Sequence, residues 1–172
     1  MSIHIIIDGY NLIRQSNTLS NFDNQSLQLG REALVDKLVA YKKIKHYKIT
    51  VVFDGINSPS FLQYNDYIKG IKIVFSRNGE SADEVIKKMS ALEKEKALIV
   101  SSDNDIISHA TTHGAATINS KEFEKKIEMA AYMDIKGIIE KTSEWDASTK
   151  KKGPRKRLPK KKRRAIKKLS KL

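Results

Sequence analysis

Four short runs of apolar, mostly β-branched residues punctuate the chain: Ile3–Ile7, Ile49–Phe53, Ile71–Phe75 and Ala97–Val100. Near-continuous apolar runs of this length are the pattern of strands covered on both faces. Helical spacing falls between them. Leu27, Leu34, Leu38 and Tyr41 share one helical face, with Lys37, Lys42 and Lys43 among the polar positions. A second helix opens at Ser81-Ala82-Asp83-Glu84 and lines up Val85, Met89 and Leu92. Ile106, Ile107 and Ala110 predict a short helix ending at His113-Gly114, and Ala115–Ile118 a short fifth strand. Phe123, Ile127 and Ala131 give a further helical face that Ile135–Ile139 continues or restarts. Asn17–Gln25 reads as a loop and Ile56–Tyr67 as irregular, with a turn signal at Asn57-Ser58-Pro59. Strands alternating with helices predict an α/β fold with a central, mostly parallel sheet flanked by helices.

Sites in such sheets form beyond the carboxyl ends of the strands. Three of the runs exit into an acid there: Asp8, Asp54 and Asp103, with Asp105 two residues further on. Asp83 and Glu84 open a crossover helix. Mg²⁺ takes oxygen ligands and keeps several waters, so a few carboxylates and a substrate phosphate complete its shell. Asp8, Asp83, Asp103 and Asp105 meet that need if the strand ends converge, with Glu84 a further candidate ligand and Asn11 placed to orient a ligand or a water. Bland readings stand beside these. Ser81-x-x-Glu84 is a capping box, Asp103 or Asn104 caps the next helix, and Asp54-Gly55 turns the chain. Asp8 resists such dismissal, because a carboxylate ending an apolar strand needs partners or water. Tyr10 either stacks a base or packs on the sheet, and Ser102 and Asn104 are placed to position phosphate or water.

Charge adds a second theme. The 172 residues carry a formal charge of +13, yet 14 of the 33 basic residues lie in 150–172 with no acid among them. The remaining residues hold 19 basic and 20 acidic side chains and are nearly neutral. One folded domain over 1–145 is therefore expected, followed over 146–172 by a disordered basic tail that engages a polyanion. The RNA-binding candidates are Lys150, Lys151, Lys152, Arg155, Lys156, Arg157, Lys160, Lys161, Lys162, Arg163 and Arg164. Pro159 could start a helix with Ala165, Ile166, Leu169 and Leu172 near one face, folding once an anion neutralises it. The absence of cysteine removes disulfides, thiol catalysis and thiolate-bound zinc. No signal peptide or membrane span is apparent, so a cytoplasmic protein is expected. No Gly-rich loop with Lys-Ser/Thr follows a strand, and the dinucleotide fingerprint is missing. His4, His46, His109 and His113 lack metal-ligand spacing tied to a third ligand, and Ser101 and Ser102 have no evident base.

Asp8-Gly9-Tyr10-Asn11, Val52-Phe53-Asp54-Gly55, Ser81-Ala82-Asp83-Glu84 and Val100-Ser101-Ser102-Asp103-Asn104-Asp105 occur in an order that resembles the YacP-like branch of the NYN domains, relatives of the PIN nucleases. The resemblance covers about residues 3–140. It implies a Rossmann-like PIN/NYN fold and an endoribonuclease dependent on Mg²⁺ or Mn²⁺. Asp8, Asp83, Asp103 and Asp105 would be the metal-binding acids, with Asn11 supporting them. The family often shows two aspartates at the helix start, where this chain has Asp83-Glu84. The expected substrate is single-stranded or loop RNA, mRNA or rRNA, in mRNA decay or ribosome-associated processing, with the ribosome as a candidate partner. The alternatives are a non-catalytic RNA- or ribosome-binding module and a DNA-directed nuclease.

Overall fold

A computed structural model describes residues 3–55, 64–135 and 160–172. Six strands form one sheet in the order β3-β4-β2-β1-β5-β6. They are β1 (His4–Asp8), β2 (Lys48–Phe53), β3 (Tyr64–Ile68), β4 (Ile71–Phe75), β5 (Ala97–Val100) and β6 (Ala116–Ile118). All neighbours pair in parallel except β3 with β4. The mostly parallel α/β architecture read from the apolar runs is therefore present. β1 is central, with Ile5 opposite Ile49 on one side and Leu98 on the other.

Alternation along the strands divides the core between two faces. Ile5, Ile7, Val51, Phe53, Leu98 and Val100 point to one side, where they meet side chains of α1 (Gly9–Gln15), α3 (Leu27–Lys45) and α6 (Ser120–Ile135). Ile6, Val52, Val74 and Ile99 point to the other, against α4 (Ala82–Glu93) and α5 (Asn104–Thr112). Leu34, Leu38 and Tyr41 are buried as their spacing predicts, whereas Leu27, the first residue of α3, and Leu92, the last but one of α4, are exposed.

Three further departures have local causes. α2 (Leu19–Asp23) occupies the segment read as a loop; its one buried side chain, Leu19, is too little apolar periodicity to announce a helix. β3 lies in the segment read as irregular. It is an edge strand joined to β4 through Lys69 (φ 49°) and Gly70 (φ 84°), the two positive values that a tight hairpin turn requires. A glycine directly after an apolar strand, as Gly9 is, would be expected to ease a sharp exit of the chain from β1. In fact α1 begins there directly, and a Cβ at Gly9 would lie 2.3 Å from Cε1 of Phe53. Space, not a special backbone angle, excludes a side chain.

The expectation of a disordered tail is corrected over residues 160–172; the expected boundary at 145/146 lies outside the described residues. Helix α7 (Lys160–Leu169) packs on the body. Ala165 and Leu169 lie against the core, and Leu172 is 8% exposed within it. Tyr47 donates to the Lys171 carbonyl at 2.8 Å and Tyr41 to that of Leu172 at 3.4 Å, while Arg164 pairs with Glu95. Self-repulsion of the lysines is offset by this apolar seam, which the charge pattern alone conceals. Among the described residues no helix is long and apolar enough to cross a membrane.

Leu172→Ala is expected to lower stability by about 2 kcal/mol, the low end for a buried leucine. Urea denaturation of the full chain reads this; an unchanged midpoint would mean that the segment does not dock.

Candidate active site

Parallel pairing brings the carboxyl ends of β1, β2 and β5 to one edge, and the acids with them. Asp8 ends β1 and caps α1, accepting from the Asn11 backbone N–H at 3.2 Å. Its second oxygen accepts from the Ser101 hydroxyl at 3.0 Å. Ser101, fully buried, accepts in turn from the Asp103 backbone N–H at 3.1 Å. One hydroxyl thus fixes the exits of two adjacent strands. Asp103 caps α5, accepting from the N–H groups of Asp105 at 2.7 Å and Ile106 at 3.3 Å.

Asp54 does something that neither a turn nor a direct catalytic role anticipates. Its Oδ1 accepts from the Ala82 backbone N–H at 2.7 Å and so ties the end of β2 to the start of α4. That tie sets Asp83 among the strand-end acids. Glu84 is exposed and closes the capping box with Ser81, accepting from the Ser81 N–H at 3.4 Å. Asp105 pairs with Lys87 of α4. The Asn11 carboxamide oxygen accepts from Ser102 N–H at 3.0 Å and from the Ser120 hydroxyl at 2.8 Å. Ser102 Oγ receives the Ser120 N–H at 3.3 Å. Asn11 is thereby a clamp on the loop after β5. Asn104 is exposed at the start of α5.

The electrostatics show how crowded these acids are. Burial pushes the Asp8 carboxyl up to about 6, against the two hydrogen bonds it accepts, with the charges of Asp83 and Asp54 adding to the rise. Burial also raises Asp83, followed by the charges of Asp103 and Asp54, with Lys87 opposing. Asp83 is the hub, since it feels or is felt by Asp8, Asp54, Asp103 and Asp105. Among the described residues no three His, Cys, Asp or Glu side chains converge to form a chelating cage. Mg²⁺ ordinarily does without such a cage, being held by one or two carboxylates, waters and substrate phosphate. An all-oxygen set with unbalanced negative charge fits an ion of that kind.

Beside the acids lies a cationic, aromatic flank that the apolar and acidic patterns did not disclose. Tyr10 packs edge-on to Phe53 at 5.1 Å between centroids, which settles it onto the sheet, and Arg14 lies 5.5 Å over its exposed face. Arg31 of α3 lies 5.3 Å over Phe75, and its Nε is buried without a hydrogen-bond partner among the described residues. The signal was present in sequence only as two arginines on separate helices. His109 and His113 stack at 4.2 Å, and His113 Nδ1 meets the His109 carbonyl at 2.8 Å.

A mostly parallel sheet whose strand ends gather aspartates at one edge is the architecture of the NYN domains within the PIN-like class. The sequence model described as "YacP-like NYN domain" matches residues 5–171, and the chain belongs to that family. The match extends through α7, beyond the span of about residues 3–140 that the motifs cover. The protein YacP of Bacillus subtilis (strain 168) is 27% identical over 86 residues, half of this chain and half of that protein, so the alignment spans only half of that relative's length. Two crystal structures of Rae1 (YacP) from Bacillus subtilis superpose with a TM-score of 0.66 each. One, of a single-residue variant, is 21% identical and covers 84% of this chain and 86% of that one. The other is 22% identical with 80% of each chain covered. At this identity they attest the fold.

Because folding raises the Asp8 carboxyl above its ordinary value, the folded state holds that proton to higher pH than the unfolded state does. Its contribution to stability is present below about pH 4 and is lost as pH rises to about 6. In EDTA, the stability of wild type relative to Asp8→Asn should fall by roughly 2–3 kcal/mol across that window. Ser101→Ala, which removes a donor to the ionised form, should move the loss to higher pH. Urea midpoints measured from pH 4 to 7 test both; a difference independent of pH would mean that Asp8 is not held in this way.

Proposed function

We propose that the chain is an endoribonuclease that hydrolyses phosphodiester bonds in single-stranded or loop RNA with Mg²⁺ or Mn²⁺ as cofactor. The observation that supports this reading is that Asp8, Asp83 and Asp103 stand near the carboxyl ends of the central strands, close enough that the charge of Asp103 raises Asp83 and that of Asp83 raises Asp8. A divalent ion there would supply neutralisation of the carboxylates and of the scissile phosphate, and would activate water. Asp8, Asp83 and Asp103 would hold it, with Asp105 completing the shell directly or through water.

The other residues position these. Ser101 keeps Asp8 and Asp103 in register, Asp54 sets the height of α4, and Asn11 clamps the loop that carries Ser102 and Asp103. Arg14 and Arg31, flanking Tyr10 and Phe75, are suited to the phosphates on either side of the scissile bond. Lys160–Arg164 begin α7 and would add affinity without sequence reading, because lysine and arginine contacts to phosphate are blind to the base. Lys150, Lys151, Lys152, Arg155, Lys156 and Arg157 belong to the same reading and lie outside the described residues. A cytoplasmic setting, with mRNA or rRNA as substrate and the ribosome as a candidate platform, completes it.

Purified protein with Mn²⁺ or Mg²⁺ should cut labelled single-stranded RNA internally and spare matched DNA. Asp103→Asn should reduce the rate by at least about 10²-fold, on the scale of losing one transition-state charge stabiliser, while RNA binding stays intact. Mn²⁺ should raise the melting temperature of wild type at pH 7 and raise that of Asp103→Asn less. Binding without cleavage under either metal would favour a non-catalytic RNA-binding module; cleavage of DNA at the same rate would make it a general nuclease.

A further inference from the structure

A cavity of about 290 Å³ opens at the opposite end of the sheet from the acids. Its floor is Ile3, immediately before β1, and one wall is Lys96, immediately before β5. The other wall is α7 and the residues after it, which contribute Arg164, Lys167, Lys168 and Lys171. Five cations therefore face one acid, Glu95, and Glu95 is already paired with Arg164. Lys168 is half-buried and reaches the Ala97 carbonyl at 3.4 Å. Burial lowers its pKa, with the charge of Glu95 opposing the shift and that of Arg164 adding to it.

We propose that this cavity is a second binding site, for the phosphate backbone of an RNA, separate from the acidic edge. The inference rests on the ribonuclease reading for the choice of polyanion. β1 has five residues, and at about 3.3 Å per residue its two ends are roughly 16 Å apart. An RNA held at both ends must run several nucleotides past the scissile bond and around the sheet. Long RNA gains this anchor and short RNA does not. The chemistry favours a phosphate backbone over a lipid surface. α7 turns Ala165 and Leu169 onto the protein and leaves only Ile166 exposed among its apolar side chains, whereas interfacial helices need a whole apolar face. The docked helix also lines the lysines up in advance, so an RNA need not order them on binding.

The test uses the full chain in EDTA and an RNA of about 25 nucleotides, longer than one single-strand site. The triple variant Lys96→Ala, Lys167→Ala, Lys171→Ala removes three exposed cations from the cavity. Its slope of log affinity against log salt should be shallower than wild type by about 2, at roughly 0.7 per phosphate contact on a single strand. Lysine-to-arginine changes at the same positions should restore the slope. Lys43→Ala, Lys69→Ala, Lys88→Ala removes equal charge elsewhere and should leave it unchanged. Equal effects from both alanine triples, or none from the first, would overturn the site. So would loss of binding to phosphatidylserine vesicles with RNA binding untouched, which would make the cavity a lipid site. Asp103→Asn should keep the wild-type slope, so a failed cleavage assay and a failed anchor are separate results. With active protein, the cavity triple should lower kcat/KM for the long RNA at unchanged kcat and leave an RNA of about five nucleotides unaffected.

Discussion

Carboxylates brought together repel, and this fold holds Asp8, Asp54 and Asp103 at one edge by giving them donors drawn from the backbone or a buried hydroxyl. The Ser101 hydroxyl is the key connection, donating to Asp8 and accepting from the Asp103 N–H across the β1–β5 pair. Asp54 on the Ala82 N–H does the same between β2 and α4. These bonds are local and short-ranged, yet they decide which charges face one another. The outcome is a carboxyl at Asp8 raised to about 6 by burial and by its acidic neighbours. The sheet beneath is buried on both faces and β1 is paired in parallel on both sides, which holds these acids in place.

Much of this was legible in the order of residues. Four β-branched runs ending in or near Asp8, Asp54, Asp103 and the start of the Asp83 helix carried both the sheet and the candidate site. Strand ends are predictable because a buried apolar run must stop where a charge begins. The hydrogen-bond partners were not legible. Ser101 and Asp54 look like turn residues until the crossovers set them beside Asp8 and Ala82. The edge strand β3 was missed because its alternation is diluted by Asn65 and Asp66, and only the Lys69-Gly70 hairpin reveals it. The C-terminal segment misled most. Its charge density argues for an open chain, and the apolar spacing of Ala165, Leu169 and Leu172 matters only once Tyr41 and Tyr47 offer a place to dock.

Among the described residues charge is thus polarised along the strands, with acids beyond one end and a basic helix across the other. Opposed charges at the two ends orient a polyanion from a distance, repelled from one face and drawn to the other. The cations Arg14, Arg31 and Lys87 interrupt the negative edge locally, which keeps that face from being uniformly repulsive.

The central position of β1 has a consequence for how the site comes into being. Asp8 is among the earliest residues of the chain, but its strand pairs with β5, whose residues lie more than ninety positions later. Contacts of such sequence separation are formed late and cooperatively, because the intervening loop must first be closed. Helices such as α3 can form in a partly folded chain, whereas the constellation of Asp8, Asp83 and Asp103 exists only when the whole sheet does. The acidic edge is therefore a report on complete folding, and a chain that has lost its β1–β5 pairing has dispersed these acids well before it is helix-free.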